Sequence, residues 1–155
     1  MIKLNLGSGG RPLKGFENLD KKTGWFYQNG LPQYSSGSVD AITISHSLMY
    51  LTIEELGRFM KEAYRVLKNG GIIRITEDET ENPLSRMYQK GCVKCRPSCL
   101  TGPKMMRENL EKAGFKAFDV DEKTTHFSDK SLMQAYHGGA PHFFFMEGIK
   151  NSEYR

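Results

Sequence analysis

The chain has no apolar run approaching the roughly 18 residues needed to cross a bilayer. Its opening, MIKLNLG, has neither the apolar length nor the small-residue cleavage site of a signal peptide. Membrane insertion and export are therefore not expected. The expected compartment is the cytoplasm, where the three cysteines, Cys92, Cys95 and Cys99, stay reduced. Internal repeats and low-complexity stretches are absent as well. Acid is missing from one region altogether: Asn82 to Met106 carries Arg86, Lys90, Lys94, Arg96 and Lys104 without a single carboxylate. This segment reads either as a solvated basic loop or as a patch attracting an anionic substrate. No nucleic-acid-binding signature accompanies it, so nucleic acid is not the expected partner.

What is present is ordinary globular composition. With 155 residues, 38% apolar and 26% charged, the chain is expected to fold as one domain. IKLNL reads as a buried strand ended by Gly7, and GFENL as a second ended by Asp20. GWFYQ is a weak third strand, and SVDAITIS a firmer one after the turn signal SSGS. Thr52 and Glu55 form the Thr-x-x-Glu capping pair of a helix. Its apolar face carries Leu56, Phe59, Met60, Ala63 and Leu67, and Asn69-Gly70-Gly71 stops it. IIRIT follows as a strand. Pro103 opens another helix, with Leu110 and Ala113 on one face and Gly114 at its end. FKAFDV and HFFFMEGI are two late strands, with a short helix in DKSLMQAY between them. Strands alternating with helices imply an α/β, doubly wound, mostly parallel sheet. Only Ser8 to Gly15 separate the first two strands, so their crossover helix must be a single turn or missing.

In such sheets, ligands sit at the carboxyl ends of the strands, where Gly7 and Gly9 lie. Glycine lets the backbone turn sharply and approach a ligand with its amides exposed, although a plain tight turn would also use it. A dinucleotide fingerprint would need glycine where Pro12 stands. Its ribose acid should come about 20 residues on, roughly twice the distance from Gly9 to Asp20. A phosphate loop would need Gly-Lys-Ser/Thr, which is absent. What remains is an adenosine ligand without a pyrophosphate: glycines against an amino-acid tail, and a carboxylate for the ribose hydroxyls.

Three stretches in order, LNLGSGGRPLKGFENLD, LPQYSSGSVDAITISHSLMYLTIEEL and RVLKNGGIIRIT, resemble the class I S-adenosylmethionine-dependent methyltransferases, most of all the small type 11 domains. The resemblance implies a Rossmann-like sheet with a reduced set of helices and an antiparallel last strand. It also implies a methyltransferase-like domain over residues 1–150 with a tail at 151–155. Residue by residue, Gly7, Ser8 and Gly9 match the glycine motif facing the methionine part of S-adenosylmethionine. Asp20 matches the acid that bonds the ribose. Leu31 and Pro32 match the Leu-Pro whose preceding loop touches adenine; Gln28 or Asn29 stands where the family often has aspartate. Ser45 and His46 fall beside the expected methyl group.

The implied activity is methyl transfer to a small-molecule or saccharide-like acceptor, anionic if the basic segment attracts it. The alternative is a non-catalytic binding subunit that needs a partner chain. Relatives often carry covering helices ahead of the first strand. Here that cover is expected from residues 83–104, from a second copy or from another subunit. His46 is the first choice of general base, since an ordinary imidazole titrates near 6.5; a histidine bonding backbone at the strand end is the other reading. His126, His137 and His142 follow as lesser candidates. EDETE, residues 77–81, either orients an amine or forms a solvated acidic loop. The Asn/Asp-Pro-Pro-Tyr signature is absent, which argues against base methylation. GCVKCRPSC offers three thiols, one short of a structural zinc site unless a distant histidine joins them, and no metal is assigned.

Overall fold

The computed structural model describes residues 1–84, 101–134 and 142–151. Six strands form one sheet: β1 (Lys3–Leu6), β2 (Glu17–Leu19), β3 (Val39–Ser45), β4 (Leu67–Asp78), β5 (Lys116–Val120) and β6 (Phe143–Ile149). Their order is β2-β1-β3-β4-β6-β5. β1 to β4 are parallel neighbours, and β6 runs antiparallel to both β4 and β5. The expected doubly wound sheet with an antiparallel last strand is thus observed. Among the described residues, no helix is long and apolar enough to cross a membrane.

Helix α1 (Ile53–Val66) begins where the capping pair places it. The Glu55 amide donates to Thr52 Oγ1 at 3.2 Å, and the Thr52 amide to Glu55 Oε1 at 2.9 Å. It buries Leu56, Phe59, Met60, Ala63 and Val66. The helix stops earlier than expected, because Leu67 already pairs with Val39 and so opens β4. Lys150 helps to end it: the buried ammonium donates to the carbonyls of Tyr64 (2.8 Å) and Leu67 (2.9 Å), a cation at a helix C-terminus. Helix α2 (Pro103–Ala113) packs beside α1, with Gly114 in the left-handed conformation at its end. Together the two helices cover one sheet face in a core built from Leu4, Leu6, Ile42, Ile44, Ile73, Ile75, Leu110 and Met146, among others.

The opposite face is different. No helix joins β1 to β2; the Arg11 amide closes a turn onto the Ser8 carbonyl at 3.0 Å. Residues 121–134 cover this face instead, seating Leu132 against Phe16, Ala41 and Ile72. The row above them is polar. Asn18, Asn5, Thr43, Arg74 and Glu147 are successive register partners across five strands. Arg74 and Glu147 are both fully buried and paired at 2.9 Å. The Arg74 guanidinium also donates to the carbonyls of Thr124 (2.8 Å) and Asp121 (2.7 Å), so the ion pair holds the covering segment down.

One expectation is corrected. GWFYQ is not a strand but the approach to a 3-10 turn over Tyr27–Asn29, closed when the Phe26 amide donates to Asn29 Oδ1 at 3.0 Å. The short helix expected in DKSLMQAY is present in its described part as a 3-10 helix, Lys130–Met133.

Candidate active site

The carboxyl ends of β1, β2 and β3 open onto two adjoining cavities. The first, about 480 Å³, is lined by Asp20, Lys21, Trp25 to Gln28, Ser47, Tyr50 and Leu51. The second, about 430 Å³, is lined by Asn5, Ser8, Gly10 to Leu13, Ser45 and Gln134. Gly7, Gly9 and His46 line both and form the partition between them.

The glycine turn owes its shape to close approach. Gly7 has φ +66°, and a Cβ there would stand 2.6 Å from Ser47 Oγ and 2.8 Å from the Tyr27 hydroxyl. Those two hydroxyls bond each other beneath the turn, and Tyr27 also donates to the Leu6 carbonyl at 3.3 Å. Burial pushes the Tyr27 phenol above its ordinary value, so it acts as a neutral donor. Gly9, at φ +56°, faces open space.

Asp20, the residue after β2, is buried. Its Oδ1 accepts from the amides of Lys22 (2.9 Å) and Thr23 (3.1 Å), which fixes the carboxylate in the lining that it shares with Gly7 and Gly9. Its Oδ2 is buried without a partner. Leaving a carboxylate oxygen unbonded is costly unless something else bonds it. A further part of this cavity is walled by Trp25, Phe26, Tyr27 and Gln28. Trp25 is anchored through its indole N–H to the Gly30 carbonyl at 2.8 Å and packs edge-on against Tyr27. Gln28 lines the cavity while donating to Glu55 Oε2 at 2.6 Å. Asn29 is spent on closing its own turn. Leu31 is fully buried in the core, its amide donating to Glu62 and its carbonyl accepting from Arg65. Neither lines the two cavities; Trp25 to Tyr27 stand there instead.

His46 is the one described non-glycine residue with a positive φ, +53°. Its amide donates to the Thr76 carbonyl at 2.7 Å, and its Nδ1 lies 2.9 Å from Asp78 Oδ1, with both side chains only 7% exposed. Beside it Glu77 is fully buried. Glu77 Oε1 accepts the amides of Ser47 (2.8 Å) and Leu48 (2.7 Å), while Oε2 has no partner. Desolvation pushes this carboxyl up to about 7, against the pull of those two amides. Glu77 and Asp78 therefore lie buried behind the site, bonded to His46, Ser47 and Leu48, rather than in a solvated acidic loop, because β4 continues beyond IIRIT to Asp78, with Glu77 and Asp78 paired with Phe144 and Phe143 of β6. The sequence signal was the unbroken strand opposite HFFF.

Cys92, Cys95, Cys99, His137 and most of the basic segment lie outside the described residues, as does most of the expected cover at 83–104. Among the described residues no cluster of three or more potential metal ligands exists. His126 is engaged with Glu147.

Comparison with known proteins agrees with this geometry. Residues 25–75, about a third of the chain, match a methyltransferase domain family. An Archaeoglobus fulgidus S-adenosylmethionine-dependent methyltransferase superposes with a TM-score of 0.66 at 17% identity, covering 96% of this chain and 85% of its own. A Thermotoga maritima relative, described as a possible histamine N-methyltransferase, gives 0.64 at 19% identity, covering 97% and 82%. A chain of the complex between the Haloferax volcanii Trm112 methyltransferase activator and a methyltransferase gives 0.65 at 15%, covering 97% and 82%. No curated protein sequence matches the chain. This is a class I methyltransferase fold. The cofactor of that fold class is S-adenosylmethionine, and the residues present suit it. The unpartnered Asp20 oxygen fits a ribose diol, and the open space at Gly9 fits a closely approaching ligand. Trp25, Phe26 and Tyr27 add aromatic, largely apolar lining to the same cavity, a chemistry compatible with a purine.

Proposed function

We propose that the protein transfers the methyl group of S-adenosylmethionine to a small-molecule acceptor. The observation that carries this reading is Asp20, a buried carboxylate at the end of β2 that lines the same cavity as Gly7 and Gly9 and whose Oδ2 has no hydrogen-bond partner. The first cavity takes the nucleoside, with Gly7, Ser8 and Gly9 toward the amino-acid tail and Gln28 toward the adenine. The second takes the acceptor. Its lining mixes Asn5, Ser8, Ser45 and Gln134 with Arg11 and Leu13, which suits a small polar or anionic molecule. His46, at the partition, receives the acceptor's proton. The sulfonium is already an activated donor, so alignment of the two substrates supplies the larger share of rate enhancement.

Calorimetric titration with S-adenosylhomocysteine tests the cofactor site. Micromolar binding is expected, weakened about 10- to 150-fold in Asp20→Ala, equivalent to roughly 1.5–3 kcal/mol for a charged hydrogen-bond partner. An unchanged dissociation constant in the variant sinks the ribose assignment.

A second reading keeps the same cavity but requires a partner chain over it. Phe26 (52% exposed) and Tyr50 (41%) present exposed apolar surface in the lining of the first cavity. A covering subunit, or a second copy, would bury it. Absence of binding by well-folded isolated protein is the outcome that favours this reading.

A further inference from the structure

The partition residue His46 shows two costs at once. A left-handed backbone is disfavoured for any residue with a Cβ, and glycine would adopt it more cheaply. Its imidazole is also held against a carboxylate, both side chains being nearly excluded from water. The arrangement is over-determined. The His46 amide is tied to Thr76, Glu77 Oε1 holds the next two amides, and the ring packs edge-on to Phe143 at 6.3 Å. A histidine needed only to end a strand does not require its ring to be aimed by a second side chain.

We propose that Asp78 is the positioning residue of a His46–Asp78 proton-accepting pair, and that this pair selects acceptors whose methylated atom must shed a proton, a hydroxyl or a protonated amine. This rests on the proposed methyl transfer. With the Nδ1 proton donated to Asp78, neutral imidazole carries its lone pair on Nε2, and Asp78 stabilises the imidazolium once Nε2 is protonated. In the step itself, the bond between the acceptor atom and the methyl carbon forms. The carbon–sulfur bond breaks with its electron pair left on sulfur; a hydroxyl's proton passes to His46 Nε2 as the new bond forms, whereas a protonated amine gives its proton to Nε2 beforehand, which frees the lone pair that attacks. That proton later leaves to solvent. An acceptor already a lone-pair donor without a proton to lose, such as a tertiary amine or thioether, gains nothing from the pair.

Among the described residues, the charged groups beside the ring include Asp78 and Glu77 from β4. Tyr50, from the turn after His46, feels both carboxylates, which together with burial raise its phenol.

The test is nitrogen-15 NMR of the imidazole in the full-length protein, without acceptor. In the wild type, neutral His46 is expected as the Nδ1-protonated tautomer. In Asp78→Asn, the tautomer ratio should move toward Nε2–H and the titration midpoint should fall by at least half a pH unit. S-adenosylhomocysteine affinity should stay within about twofold. Asp78→Glu should restore the tautomer. A wild-type ring found as Nε2–H, which needs no variant, overturns the proposal, as does an Asp78→Asn spectrum identical to wild type. Loss of S-adenosylhomocysteine binding in the wild type would instead count against the cofactor reading and leave the tautomer result to stand by itself.

Discussion

Arg74 and Glu147 meet at 2.9 Å in the middle of the sheet, both without exposed side-chain surface, on the face covered by residues 121–134. Glu147 also accepts from Thr125 Oγ1 (2.6 Å) and from the amide and ring of His126 (2.7 and 3.0 Å), while Arg74 holds two carbonyls of the same segment. The pair thus replaces, with directed bonds, the apolar helix contact that usually covers a parallel sheet.

Breaking this pair is expected to be costly. Arg74→Met strands a buried carboxylate and should lower stability by about 3–5 kcal/mol. The double variant Arg74→Met, Glu147→Leu should lose much less than the sum of the single changes. Urea unfolding of the four proteins reads the coupling directly; additive losses would show that the two residues act independently.

Gly7→Ala places a methyl group against Ser47 and Tyr27 while holding a backbone conformation that costs roughly 1–2 kcal/mol. S-adenosylhomocysteine affinity should fall at least tenfold. Adding Ser47→Ala removes the nearest clash but not the backbone cost, so recovery should be partial. Full recovery would mean that only the clash mattered.

Glu77 should make stability fall as pH rises. Its native carboxyl titrates at about 7, above the unfolded value near 4.5. Between those two values the native state binds more protons than the unfolded chain, so each rise in pH favours unfolding. Below the unfolded value the effect is absent, and above about 7 it is complete. Glu77→Gln keeps an oxygen for the Ser47 and Leu48 amides and removes the titration. The stability difference between variant and wild type should therefore shift in the variant's favour between pH 5 and pH 8, by on the order of 2–3 kcal/mol. Parallel curves across that range would place the native carboxyl at its ordinary value.

Trp25 is the single tryptophan of the chain and lines the first cavity. Its fluorescence should change on addition of S-adenosylhomocysteine, with a midpoint matching calorimetry and displaced in Asp20→Ala. A calorimetric signal with silent fluorescence would place the nucleoside away from Trp25.

Much of this was legible in residue order because local chemistry wrote it. The Thr52–Glu55 pair, the Gly7 turn and the Pro103 and Gly114 helix limits each act within a few residues, and each stands where it was expected. Trp25 to Gln28 misled because aromatic residues favour strands, whereas here the Asn29 side chain closes a turn and the indole is drawn into the core. Glu77 and Asp78 misled for a longer-range reason. Acids in a row signal solvent, and only pairing with the distant Phe143 to Phe145 keeps β4 running through them. The polar row on the second face was invisible for the same reason, since Arg74 and Glu147 become partners only through strand register.

The position of β6 makes one side of the sheet depend on it. β5 joins the sheet through β6 alone, and β6 is made after it. Without the final strand between its two neighbours, β4 presents an open edge, Arg74 lacks its counter-ion, and the α2–β5 hairpin has no hydrogen-bonded seat. A chain in which β6 is displaced would therefore expose the β4 edge to pairing with another strand, and the sheet's integrity on this side rests on that one strand.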